Sequence, residues 1–258
     1  MSNFRSRLYI STFTENSIEN IRDYEVGMEI NHTCISENLD DDKREALIKE
    51  IKSDIEKSKA TKIIMHGPFT EIHPAAIDYK VRDLGMKRLN EAYKVAKELG
   101  VKKMIVHTGW IPFIYFKEYQ VEKAKDFFES FMKDKPEDFE IAIENVLEDE
   151  PFMIRDMMET IKDKRIKLCL DIGHAYSMTN KSYGMEDWIR ELSPWISHMH
   201  LHNNDGKSDD HKAFDDGDMD MFEILDLIEK YVDDEATLTI EAHDSTKCLE
   251  WLLDNRYI

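Results

Sequence analysis

The chain alternates short apolar, β-branched runs with longer stretches in which apolar residues recur every three or four positions. Eight of the runs have the length and composition of buried parallel strands: Arg7–Thr12, Glu25–Asn31, Lys62–Gly67, Lys103–Thr108, Phe139–Asn145, Ile166–Ile172, Ile196–His202 and Thr237–His243. The stretches between them predict helices. Asp41–Lys59 places Leu47, Ile48, Ile51 and Ile55 on one face and charge on the other. Asp78–Leu99 runs into Gly100, a favourable C-terminal cap. Glu118–Lys133, Phe152–Lys162, Met185–Leu192, Asp220–Val232 and Thr246–Leu253 complete the set. Strands alternating with helices over 258 residues predict an α/β fold, a (β/α)8 TIM barrel, as a single domain over 1–258. An open doubly wound sheet competes. Its nucleotide-binding form is weakened because no GxGxxG or phosphate-binding loop follows a strand.

In a TIM barrel, reactive side chains gather at the C-terminal ends of the strands. Those ends carry His66, His107, Glu144, Asp171 with His174 three residues on, the His198/His200/His202 run, and Glu241. A single residue of this kind reads as a helix cap or a satisfied polar group. Six successive strands delivering one each read as a site. Carboxylates pointing into one mouth repel, and a bound dication removes that cost. On the fifth strand Glu140, Ala142 and Glu144 share the inward face, and Ile141 and Ile143 the outward one. His198, His200 and His202 also share a face but climb their strand by about 6.6 Å per pair, so they do not serve one ion together. His200 and His202 lie nearer the mouth, and His198 reads as a structural or supporting residue. Beyond them, SHMHLHNNDGKSDDHKAFDDGDMD continues through a turn at Gly206. Asp209 and His211 come back over the mouth, and Asp218 or Asp220 caps the next helix.

Charge narrows the partners. The chain carries 54 acidic and 35 basic residues, a net −19. Nucleic-acid affinity draws on Lys and Arg neutralising phosphates, so the balance leans against DNA, RNA and anionic membranes. It leaves room for an anionic small molecule held by metal. No run of 18 apolar residues is present, and MSNFRSRLYISTF has no apolar signal segment. Cys34, Cys169 and Cys248 form neither a disulfide framework nor a CxxC knuckle, so a reducing cytoplasm is expected.

Together these residues resemble the xylose isomerase-like TIM barrels, the group holding sugar phosphate isomerases and epimerases together with endonuclease IV. The resemblance runs from the second strand to the eighth. It implies that Glu144, Asp171, His200 and Glu241 hold one divalent metal, as in the ketose epimerases, with Glu144 and Glu241 as the catalytic acid–base pair. His174 and Glu150 match substrate-binding positions there. A further similarity to endonuclease IV extends the implied metal ligands to its nine-residue, three-zinc set: His66, His107, Glu144, Asp171, His174, His200, Asp209, His211 and Glu241. The Asp209-x-His211 pair is the informative part, because single-metal epimerases do not need it. The loop after the second strand, HTCISENLDDD, is acidic and has no arginine, and longer loops for gripping a duplex are lacking. The ligands therefore carry over and the DNA substrate does not.

The expected function is a metal-dependent sugar or sugar-phosphate isomerase or epimerase working through an enediolate. The alternative is an endonuclease IV-like multinuclear metal phosphodiesterase, and a non-catalytic sugar- or metal-binding barrel is a third reading. Trp110 and Phe69 are candidate apolar faces for a carbohydrate substrate. The mixed ligands suit manganese or zinc, with one to three ions. If Glu144, Asp171, Asp209 and Glu241 are all ionised, one dication leaves the set at −2, which suits a neutral sugar; three bring it to +2, which suits an anionic ester. Lys207 and Lys212 sit among aspartates and read as solvated. Oligomeric state is left open.

Overall fold

The computed structural model describes residues 4–180 and 182–258; Met1–Asn3, the start of the N-terminal stretch read above, lie outside them. Eight parallel strands close in chain order: β1 Leu8–Ser11, β2 Gly27–Ile30, β3 Ile63–His66, β4 Lys103–His107, β5 Glu140–Glu144, β6 Ile166–Asp171, β7 Ile196–Leu201 and β8 Thr237–Ile240. Leu8 pairs with Leu238 to shut the ring. The fold is a TIM barrel, as the alternation predicts, with each predicted strand present and trimmed at one or both ends.

The described residues form nine α-helices: α1 Ser17–Tyr24, α2 Asp41–Ser58, α3 Tyr79–Leu99, α4 Lys117–Met132, α5 Phe152–Thr160, α6 Ile172–Met178, α7 Met185–Leu192, α8 Met221–Tyr231 and α9 Ser245–Asp254. Two of them escape the apolar pattern. Helix α1 is eight residues long and lies between Asn16 and Glu25, both left-handed, with φ of 54° and 55°. So short a segment shows no clear period. Helix α6 begins directly where β6 ends, because the Asp171 carboxylate accepts a hydrogen bond from the His174 amide at 2.7 Å and caps it. No helix among the described residues is long and apolar enough to cross a membrane.

Alternation along each strand sorts the core. One face packs under the helices, with Leu8, Met28, Met65, Met104, Ile141, Leu168, Met199 and Leu238 buried there. The other fills the barrel axis with a small apolar layer of Tyr9, Ile64, Ile105, Ala142 and Cys169. Beside this layer the axis is polar: Glu29, His198 and Thr239 are all fully buried. Branched apolar side chains usually fill this space.

The loop after β7 is built on Asn203. Its backbone pairs with Lys212 in both directions, at 2.9 and 2.8 Å. Its side chain donates to the carbonyls of Phe214 and Met219 and accepts from the Met219 amide. The loop therefore doubles back and delivers Asp209 and His211 above the strand ends. Asp220 caps α8 by accepting from the amides of Phe222 and Glu223.

Candidate metal centre

The ends of β3 to β8 and the loop after β7 bring all nine predicted ligands to one mouth. Among the described residues, donor atoms within 4.8 Å of one another define five groups. Three consist wholly of predicted ligands: His66, His107 and Glu144; Glu144, Asp171 and His200; and His174, Asp209 and His211. The other two join His200 to Glu29 and Glu241 and to Cys169 and His198. Glu241, just past β8, completes the middle group, with Oε2 3.3 Å from Nδ1 of His200. Glu144 belongs to two groups. Its Oε2 lies 3.0 Å from Nε2 of His66 and 3.3 Å from Nε2 of His107. Its Oε1 lies 3.2 Å from Nδ1 of His200 and 3.3 Å from Nδ1 of His174. Asp209 spans His174 at 3.2 Å and His211 at 3.0 Å.

Backbone carbonyls aim three of the rings. Nδ1–H of His66 donates to the Gly67 carbonyl at 2.8 Å, that of His174 to Asn145 at 2.9 Å, and that of His211 to Glu241 at 2.8 Å. Each then presents Nε2 to the cluster. His202 packs between neighbours. Its ring stacks on His211 at 3.9 Å, and its Nε2 lies 3.1 Å from Asp171. A Cβ at Gly173 would stand 1.9 Å from Cε1 of His202. Gly173→Ala is therefore expected to destabilise the fold by about 1–3 kcal/mol through overpacking, read as a lower denaturant midpoint. An unchanged midpoint would show that His202 is free to move.

Proton placement follows from the crowding of charge. Burial raises the Glu144 and Asp171 carboxyls, but the surrounding histidines outweigh it and hold both well below the ordinary value. Burial, with the negative charges of Glu29, Glu144 and Asp171, outweighs His200 at Glu241 and pushes its carboxyl up to about 7. Burial disfavours charge on His66, His174, His200 and His211, yet their neighbours outweigh it. Cys34 and Glu144 raise the first, Asp171, Asp209 and Glu144 the second, and Cys169 with Glu241, Glu29 and Glu144 the third well above the usual value. Asp209 with Glu241 raises His211 to about 9. His107 goes the other way: burial dominates and lowers it.

The donor set fits divalent cations. Nδ1 of His200 is buried, looks at carboxylate oxygens of Glu144, Asp171 and Glu241 at 3.2 to 3.6 Å, and makes no hydrogen bond. An orphaned ring nitrogen among oxygens is what a cation site presents. Groups raised above neutrality hold protons at pH 7 in the metal-free chain, and a cation has to displace them. Zinc binding at pH 7 is expected to release protons, and apparent affinity to weaken as pH falls. Titration calorimetry in two buffers of different ionisation enthalpy checks this; heats independent of buffer would contradict it.

Some predicted positions lie elsewhere. The mouth is a cavity of about 540 Å³ lined by seven of the nine predicted ligands, all but Asp171 and His200, together with Phe13, Asn31, Cys34, Ile35, Phe69 and Val146. Phe69 is there, its ring stacked on His107 at 4.7 Å. Trp110 is not: it is buried, and its Nε1–H donates to the Tyr115 carbonyl within its own loop. Glu150 also lies off the cavity, because Lys117 draws its carboxylate away at 2.9 Å. Residues not predicted as site residues also belong to the neighbourhood: Glu29 beneath His200, His202 against Asp171, and Phe13, Asn31, Cys34, Ile35 and Val146 in the cavity wall.

Fold and donor set define a TIM barrel whose mouth is arranged around acidic and imidazole ligands. The chain belongs to the xylose isomerase-like TIM barrel family, whose model matches residues 25–254. It is 28% identical over 189 residues to an uncharacterised protein of Methanocaldococcus jannaschii, a match spanning 69% of this chain and 64% of that relative, less than two thirds of its length. Among solved structures it is similar to a D-tagatose 3-epimerase-like protein, at 21% identity and a TM-score of 0.76, covering 97% of this chain and 96% of that one. A Thermus thermophilus protein soaked with zinc chloride aligns with a TM-score of 0.77 at 21% identity, covering 97% of both chains.

Proposed function

We propose that the protein is a metal-dependent isomerase or epimerase of a sugar or sugar phosphate, transferring a proton at the carbon beside a carbonyl. The observation that carries this reading is a pair of buried carboxylates, Glu144 and Glu241, facing the same ring nitrogen from two strand ends. Both lie within 3.3 Å of Nδ1 of His200. Two carboxylates set around one substrate carbon serve as base and acid in one site. Glu144, ionised, takes the proton from one face of the substrate carbon. Glu241, on the other side of the cluster, returns one, and the roles exchange in the reverse direction. A bound divalent cation supplies polarisation of the carbonyl and charge stabilisation for the enediolate. His174 orients a substrate hydroxyl. Phe13, Ile35, Phe69 and Val146 form the apolar part of the cavity wall, where exclusion of water strengthens each charge interaction. The relatedness to an epimerase-like structure and a zinc-soaked one supports the reaction class and the metal.

The His174/Asp209/His211 group favours a second reading, a multinuclear phosphodiesterase. Against it, no lysine or arginine is among the described residues lining the cavity, so substrate phosphates would rely on metal alone. Incubating zinc- or manganese-loaded protein with a panel of ketoses and ketose phosphates separates the two. The first reading expects a new epimer or isomer in the carbon NMR spectrum. Unchanged sugars together with cleavage of an abasic-site duplex would replace it with the second.

A further inference from the structure

His66, His174 and His211 are aimed by backbone carbonyls through Nδ1 and face the cluster with Nε2. His200 is reversed: its Nδ1 faces the cluster, and its Nε2 lies 3.2 Å from Oε1 of Glu29. Glu29 reaches across the barrel from the middle of β2 and is fully buried. The other oxygen of the same carboxylate accepts from Thr239 at 2.6 Å and from Nε2–H of His198 at 3.1 Å. Nδ1 of His198 in turn accepts from the Thr237 hydroxyl at 2.6 Å, and Lys103 donates to that hydroxyl at 3.3 Å. Leaving a carboxylate this deep costs several kcal/mol unless its lone pairs are filled. Here three donors fill them and fix the group in place.

We propose that Glu29 is a positioning residue for the middle metal group. It holds the His200 ring with its proton on Nε2, so that the Nδ1 lone pair points at the space between Glu144, Asp171 and Glu241. This rests on the metal reading of the mouth. A carboxylate behind a ligating imidazole fixes the ring's orientation and raises its basicity, and losing such a partner typically weakens metal affinity by about 10- to 100-fold. The network below it, through His198, Thr237 and Lys103, keeps the carboxylate from turning.

Glu29→Gln keeps the shape and removes the charge. Chelator competition is expected to show about 10- to 100-fold weaker binding of one zinc ion in this variant. With cadmium as the probe, the ¹¹³Cd resonance of that ion is expected to move while the others hold. A polar core residue with no link to the metal would change the thermal midpoint and leave affinity and resonance alone. Thr239→Val removes one donor and keeps the carboxylate; about threefold to tenfold weaker zinc binding is expected, and this variant decides the matter if Glu29→Gln fails to fold. A folded Glu29→Gln protein with wild-type affinity and cadmium spectrum overturns the proposal, as does unchanged affinity in Thr239→Val when Glu29→Gln does not fold. Wild-type protein that binds no zinc ends the metal reading itself, and this inference with it.

Discussion

Replacing Glu241 with glutamine is expected to lower kcat by about 10²- to 10⁴-fold, the range a positioned proton-transfer group supplies. The side chain is 6% exposed and sits 3.3 Å from His200, so an isosteric amide occupies the same space. Glutamine retains an oxygen toward the cluster but neither gives nor takes a proton. Its loss should therefore fall on kcat more than on KM. Zinc or manganese content is measured by elemental analysis on the same samples, since Glu241 also belongs to the donor set. A full-rate, metal-loaded variant would remove Glu241 from the chemistry.

Glu144→Ala is expected to have the widest effect of any single change. Four histidines touch its carboxylate, two at each oxygen. Its removal takes a ligand from two of the three groups at once, and metal affinity is expected to fall by more than about a hundredfold. The metal-free protein is affected as well. The carboxyl is held below its ordinary value, so its stabilisation is present above the unfolded-state value and lost as pH falls through the folded one. His66, His174 and His200, raised above neutrality, keep their contribution at low pH and lose it as pH rises. At pH 7 both conditions hold, and alanine leaves buried imidazolium charge without its partner, a loss of about 3–5 kcal/mol. Denaturant unfolding of metal-free protein over a pH series from 7 upward checks the sign: the gap between wild type and variant should shrink as the histidines lose their protons. A gap that grows with pH would contradict the assignment.

Much of this architecture is legible along the chain because a parallel barrel imposes a simple rule. Strands buried on both faces read as apolar runs, and chemistry sits where those runs stop. His66, His107, Glu144, Asp171 and Glu241 were found by that rule, and the structure brings them into one mouth with His174, His200, Asp209 and His211. Glu29 escaped it because it lies inside β2 rather than at its end. The signal was there in GMEI, where strand alternation turns a carboxylate to the barrel axis. Trp110 was drawn in by its place after β4, yet nothing in GWIPFIY tells that its indole turns back to the Tyr115 carbonyl. Lys117 lies 33 positions before Glu150 in the chain, so the ion pair that carries Glu150 away from the mouth is a product of the fold.

Proton transfer between the two glutamates and a substrate carbon is tested most directly by turnover in heavy water. With metal-loaded protein and a converted sugar, solvent deuterium should enter product at the carbon beside the carbonyl and wash into recovered substrate. Glu241→Gln should suppress deuterium entry into product, while exchange into recovered substrate, which Glu144 performs, persists. Product formed with no deuterium at that carbon would contradict proton transfer by Glu144 and Glu241.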